Sequence, residues 1–493
     1  MKSSKQIVRF GLLFLCIFVS VTIVCATTHA ASIWEKRKQA VETVTKPAQE
    51  IEEAEIAKEE SFDIEDEIMD LLDPDDIYIP DQYGTIIETY KGTNGKLILH
   101  VQDAHMNYEG QKNEAHILES LMEDYGLKLI LLEGNVTDAD FTYLRDYALL
   151  EDRVERADKL LKSGTINGVN YLNLATDYPI TVQGIEDKKL YDINTEALWE
   201  MDTFKSLAQE YINKMITAAD SLKPQIYSAD LMEFDSKNKD YESEAIDLLA
   251  YYDYIYKKAE ANDLPLYTFP NFTNLIKASD IEKKIDLTSI RDGSASAEDM
   301  DLYDEYIELT RDLNVNALFK EEPLLEDFLT DVLAVDSKQR KLLRISKALS
   351  IMKNLLIVKV VPEEYAYFLE NKKDFNPKFW ADFLNERSEE LGLSPDVPSN
   401  SYIISDNLSK VERFYATAID REKAFIRKTN ERIEKDDVKL AALIAGGFHT
   451  PTLIELLRDQ GYSYVVVSPK VTTPTDDKLY REALKREWAP GIE

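Results

Sequence analysis

The sequence predicts an α/β fold: a mostly parallel sheet flanked by helices, with a large helical insertion or cap. Three observations predict it. Short apolar runs alternate with amphipathic stretches near both ends of the chain. Each apolar run closes on polar residues that chemistry uses. Between the two alternating parts lies a long region with helical periodicity alone.

The elements follow in order. Lys2, Lys5 and Arg9 precede an apolar run from Phe10 to Ala26, and "ATTHA" then "AS" offers small residues to a signal peptidase. This reads as a secretory signal over residues 1–30, with an uncleaved membrane anchor as the alternative. Residues 31–80 are rich in Glu, Asp, Lys and Ala and read as an acidic, poorly ordered leader. "GTIIETYKGTNGKLILHVQ" reads as two strands joined by a Thr-Asn-Gly turn, a hairpin signal. Leu97–Gln102 is the first core strand and Tyr108–Tyr125 a helix with Ile117, Leu118, Leu121 and Met122 on one stripe. Leu129–Leu132 and "YPITVQGIED" are further strands, completing the first half of the core over 81–190. Residues 191–435 form the helical cap or insertion. Over 436–493 the core resumes: "LAALIAGG" is a strand, "TPTLIELLRDQG" a helix closed by Gly461, and "YSYVVVSP" a strand.

Composition narrows the chemistry. The net charge is −34, and it becomes more negative when the basic leader leaves. Such a chain repels nucleic acid and anionic membrane surfaces. Both cysteines, Cys16 and Cys25, lie in the signal, so disulfides, thiol nucleophiles and Cys-ligated metals are excluded from the mature protein. Of five histidines, His29 also leaves. Imidazole chemistry must come from His100, His105, His116 and His449.

Ligands bind outside the carboxyl ends of the strands in open parallel sheets. The polar residues here stand at those ends. The first core strand delivers Gln102, Asp103 and His105, with Asn107 next; the second delivers Glu133; the third delivers Glu186 and Asp187. The late strand delivers "GGFH", with His449 directly before a helix. Two imidazoles and one or two carboxylates suit a divalent metal, among which Zn, Mn, Co and Fe are not separable by ligand type. A carboxylate-oriented His also serves as a general base. His100, inside its strand, reads as a core histidine, and His116, opposite the apolar stripe, as a surface one. Gln111 and Glu114 fall on the apolar side of the first helix. In "VERFYATAIDREKAFIRKTNERI" the stripe runs Val411, Phe414, Tyr415, Ala418, Phe425 and Ile433, with Glu422 near its middle and Arg421 at its edge. Arg421 reads either as an oxyanion or carboxylate clamp or as a surface residue.

This succession of motifs resembles the TraB/TIKI/ChaN/erythromycin-esterase superfamily. "AGGFHT" before "LIELLRDQGYSYVVVSP" is similar to its late Gly-x-x-His motif, "VQDAHMN" with "LILLEG" to its early His and Glu pair, and "DREKAF" to its Arg-bearing helix. The resemblance covers roughly 84–190 and 408–470. The early motif of TraB and TIKI proteins has Gly three residues before the His; here Gln102 stands there. Members include metal-dependent proteases, esterases and haem-iron binding lipoproteins, so the resemblance implies a fold and a pocket rather than one reaction.

The resulting expectation is a secreted or periplasmic, metal-dependent hydrolase of peptide or ester bonds. His105, His449 and Glu133 are the expected ligands, Glu186 the base or a further ligand, and Asp103 the orienter of an imidazole. Arg421 is expected to bind substrate or oxyanion, and Asn107 and Gln111 to contact the bound group. The alternatives are a non-catalytic haem- or iron-binding envelope protein, with Tyr ligands from "LLAYYDYIYKK", and a metal-free esterase using His as base. The expected partner is a small-molecule or peptide substrate, with no nucleic acid, and with membrane contact only through an uncleaved anchor.

Overall fold

The computed structural model describes residues 40, 41, 43–45 and 73–473, apart from 244, 293 and 312. The expected signal and most of the acidic leader lie outside the described residues. Among the described residues no helix is long and apolar enough to cross a membrane.

Six strands form one sheet: β1 (Gly84–Tyr90), β2 (Leu97–Asp103), β3 (Leu129–Leu132), β4 (Thr181–Gly184), β5 (Leu440–Gly446) and β6 (Ser463–Pro469). Their order is β1-β6-β2-β5-β3-β4. Every neighbouring pair is parallel except β1 with β6. The sheet is therefore mostly parallel, as the sequence predicts. All seven residues of β5 are buried, as a central strand covered on both faces requires.

Six helices accompany the sheet: α1 (Tyr108–Tyr125), α2 (Leu150–Lys162), α3 (Gly168–Ala175), α4 (Lys188–Ile226), α5 (Leu408–Asp436) and α6 (Thr450–Asp459). The Asn107 side chain caps α1 by accepting from Gly110 N–H, and Gly126, at φ 69°, ends it. One face of the sheet contributes Leu99, Val101, Ile130, Leu132, Ala442, Ile444, Val465 and Val467 to a core closed by Ile117, Leu118 and Leu121 of α1. Burying each such aliphatic side chain contributes about 1.5–3 kcal/mol. Ile77 and Ile79 join the same core.

The predicted hairpin is not formed. β6 lies between β1 and β2 and pairs with both. The loop between β1 and β2 instead bonds across to the start of β6, with Thr93 and Asn94 N–H groups both donating to Gly461 O. The physical reason is burial: Tyr464–Val467 is apolar on both faces and gains ladder partners on both sides.

The chain forms two compact units, 73–203 with 408–473, and 40–45 with 204–407. The sequence reading placed the helical region at 191–435. The boundaries differ because α5 belongs with the sheet, where its stripe of Val411, Phe414, Tyr415, Ala418, Phe425 and Ile433 is buried. The other end of the region falls within one continuous helix, α4.

The second unit is helical among its described residues. Its core includes Tyr252, Phe272, Leu275, Leu325, Leu329, Leu342 and Ile345. In "LLAYYDYIYKK", the Tyr251 and Tyr252 hydroxyls donate to Glu326 (2.6 Å) and Glu322 (2.7 Å). Both tyrosines are thus engaged in helix packing.

Candidate active site at the carboxyl ends of the strands

The sheet order sets β2, β5, β3 and β4 side by side, and their carboxyl ends level. Asp103 pairs with Gly446, Leu132 with both Ile444 and Gly184. The residues that follow are therefore neighbours: Asp103 and His105 after β2, His449 after β5, Glu133 after β3 and Glu186 after β4. All five are buried.

Two histidine–carboxylate pairs define the centre. His105 Nδ1 contacts Asp103 Oδ2. His449 Nδ1 lies 2.7 Å from Glu422 Oε1 of α5. In both rings the other nitrogen, Nε2, is buried without a hydrogen-bond partner. His449 Nε2 approaches Glu133 Oε1 to 3.2 Å, an ion contact without hydrogen-bond alignment. A carboxylate on Nδ1 fixes the ring and leaves Nε2 as the working atom, which is how metal-binding and general-base histidines are held.

Asp103 is itself braced. Gln111 donates to Asp103 Oδ1 at 2.5 Å, and Gln111 Oε1 accepts from the Gly168 N–H at 2.6 Å. Gly168 is the first residue of α3; a Cβ there would lie 2.4 Å from the Gln111 carbonyl oxygen, so glycine permits the approach. Glu114, also buried on α1, is raised well above the usual carboxylate range by burial and then by the Asp103 charge.

Beside the histidines, Arg421 joins the two strand-end glutamates. It donates to Glu133 Oε1 (3.1 Å), to both oxygens of Glu186 and to Asn194 Oδ1 (3.0 Å). Glu133 Oε2 accepts from Gly446 N–H (2.8 Å) and Glu186 Oε1 from Gly134 N–H (3.3 Å). Lys428 Nζ donates to the Glu186 carbonyl. The expected clamp, Arg421, and the expected base, Glu186, are thus engaged with each other, because burial forces each charge to find its opposite.

The electrostatics follow. Burial opposes charge on every member. At Glu133 the charges of His449 and then Arg421 outweigh it and hold the carboxyl well below its ordinary range. At Glu186 burial wins and its pKa rises. Glu133 and Glu422 raise His449 to about 9, against burial. Asp103 likewise raises His105, which also senses the charges of Glu133 and His449. Formally, Asp103, Glu133, Glu186 and Glu422 bring four negative charges against Arg421 and Lys428. Two imidazolium protons would balance the remainder. A divalent cation held by two neutral imidazoles would balance it equally.

The remaining residues fall as follows. His100 is a core histidine: Nδ1 meets Leu443 O (3.1 Å) and Nε2 meets Thr450 Oγ1 (2.9 Å). Gln102 donates to the same Thr450 hydroxyl (3.1 Å) and packs over Gly447, bracing the turn that carries His449. His116 is half-exposed, stacked on Tyr83 with ring centroids 4.7 Å apart. Asp187 accepts from the Lys189 and Leu190 N–H groups at the start of α4. Asn107 and Gln111, expected to contact a bound group, are engaged within the protein, Asn107 with Gly110 N–H and Thr473 O and Gln111 with Asp103 and Gly168. Sequence reasoning gave no role to Glu422, Asn194 or Lys428. For Glu422 the signal existed: a carboxylate in the middle of an apolar helix stripe needs a buried partner.

The donors fit a divalent cation in kind: two Nε2 atoms with no hydrogen-bond partner, each ring backed by a carboxylate, and Glu133 beside His449 Nε2. His105, His449 and Glu133 would hold it. Among the described residues, however, no three such side chains are already arranged as a metal-holding group. No family model, curated protein or solved structure matches the chain.

Proposed function

We propose that the protein is a hydrolase of peptide or ester bonds that depends on a divalent cation held by His105 and His449, with Glu133 as the oxygen donor. The observation that carries this reading is the pair of buried imidazoles, each with Nδ1 on a carboxylate and Nε2 without a hydrogen-bond partner. The resemblance to the TraB/TIKI/ChaN/erythromycin-esterase superfamily points the same way. A divalent ion held there would supply Lewis-acid chemistry to a substrate carbonyl and to water.

The chain's own residues do the rest. Asp103 and Glu422 fix the two rings and favour the tautomers with free Nε2 atoms. Arg421 neutralises Glu133 and Glu186 and keeps Glu133 in place, so Glu186 and Arg421 act as a brace. Export to the cell envelope or beyond belongs to the same proposal, on the strength of the Lys2–Ala30 leader.

A metal-free hydrolase is the second reading. His449, raised to about 9, would be protonated at neutral pH and would serve there as an acid rather than a base.

The test is elemental analysis and an absorption spectrum on protein from metal-replete culture, then hydrolysis of peptide, ester and lactone panels with and without chelator. One bound divalent ion, lost in both His105→Ala and His449→Ala, with chelator-sensitive hydrolysis, is the expected result. Hydrolysis that needs both histidines but no metal moves the assignment to the metal-free reading. A Soret band without hydrolysis moves it to haem binding.

A further inference from the structure

The turn that carries His105 is strained and tied down from outside the sheet. Met106, between His105 and Asn107, has φ 58°, in the left-handed region that a side-chain-bearing residue adopts only when its surroundings impose it. Asn107 N–H closes the turn on Ala104 O (3.1 Å). The segment that leaves β6 bonds to the residues that follow this turn. Lys470 O accepts from the Asn113 side chain (2.7 Å). Glu109, in the first turn of α1, accepts from both the N–H and the hydroxyl of Thr472 and of Thr473, all at 2.8–2.9 Å. Asn107 Nδ2 donates to Thr473 O (2.8 Å) while its Oδ1 caps α1. Gly110 makes the close packing possible: a Cβ there would lie 2.5 Å from Ala104 Cβ and 2.9 Å from Val471 Cγ2.

We propose that Lys470–Thr473 is a strap that positions His105: through Glu109 and Asn107 it holds the His105-Met106-Asn107 turn in its strained form and so sets the direction of His105 Nε2. The strap touches no donor atom of the centre; Glu109 and Asn107 are positioning residues. The inference rests on the reading of His105 as a metal ligand only for its effect on affinity. The effect on the ring itself stands apart from that reading.

The experiment uses the full chain with ¹⁵N-labelled histidine, few enough residues for each ring to be assigned. Glu109→Ala, and Glu109→Gln as the milder variant if the first fails to fold, are compared with wild type for the His105 ring resonances and for Mn²⁺ affinity. The expected result is a displaced or broadened His105 signal with those of His100 and His116 unchanged, and Mn²⁺ binding weakened about 10-fold, as for loss of an outer-shell partner. Adding Met106→Gly, which removes the cost of positive φ, restores both readings. Wild-type His105 signals and affinity in the Glu109 variants, or no recovery with Met106→Gly, overturns the strap. If wild type binds no Mn²⁺, the functional reading fails, and the ring resonances alone decide this proposal.

Discussion

Oε1 of Glu422 lies 2.7 Å from Nδ1 of His449, between the long helix α5 and the turn that follows β5. A buried carboxylate in an apolar stripe is thereby explained by a buried imidazole on another element. Each justifies the burial of the other, and the pair mirrors Asp103 with His105 on β2. Glu422→Gln keeps an acceptor but removes the charge. The His449 pKa then falls below about 9, and divalent-ion affinity drops between about 10- and 100-fold. Histidine ¹⁵N shifts followed against pH measure the first, calorimetry the second. An unmoved titration would show that Glu133 alone sets the charge on His449.

Arg421 is the stability keystone of the same cluster. Its guanidinium is wholly buried between Glu133 and Glu186. Arg421→Met leaves the buried Glu186 without its cation and Glu133 with His449 alone, which costs about 3–5 kcal/mol for a broken buried pair. Denaturant unfolding of the variant checks the magnitude. Adding Glu186→Gln recovers part of the loss, because one of the stranded charges is gone. A variant as stable as wild type would mean that water reaches the cluster.

How far the sequence led is visible in particular residues. The strands, α1 and the residues at the strand ends were legible because side-chain period and strand-end position are local patterns. Strand order is not local: nothing in "GTIIETYKGTNGKLILHVQ" says that β6 will enter between β1 and β2. The mutual engagement of Arg421 and Glu186 was equally hidden, since it depends on how α5 lies on the sheet. Glu422 was visible as an anomaly but not as a partner, since the helix does not name what faces it.

His100 gives a pH prediction of definite sign. Burial lowers its pKa from 6.5 to about 4. Between those values the unfolded chain binds a proton there that the folded one does not. The stability this group confers is therefore complete above about 6.5 and is lost as the pH falls towards 4, by up to about 3 kcal/mol. His105 and His449, both raised, act in the opposite sense: what they contribute is present below 6.5 and is lost as pH rises through their folded pKa values. The difference between wild type and His100→Gln, measured by unfolding from pH 7 to pH 4, isolates the first effect. Equal acid slopes in the two proteins would place water at His100.

Metal uptake by the proposed site must release protons. At pH 7 a pKa of about 9 leaves the His449 imidazole protonated, and a metal ligand must be neutral. The His449 proton leaves as the divalent ion enters, and Asp103, which raises His105, adds to the proton release. Calorimetric titration with Mn²⁺ in buffers of different ionisation enthalpy counts those protons. About one per ion or more is expected at pH 7, fewer as pH rises past 9, and fewer in His449→Ala if that variant still binds. Binding with no proton release at pH 7 would put the ion on surface carboxylates instead, away from both Nε2 atoms.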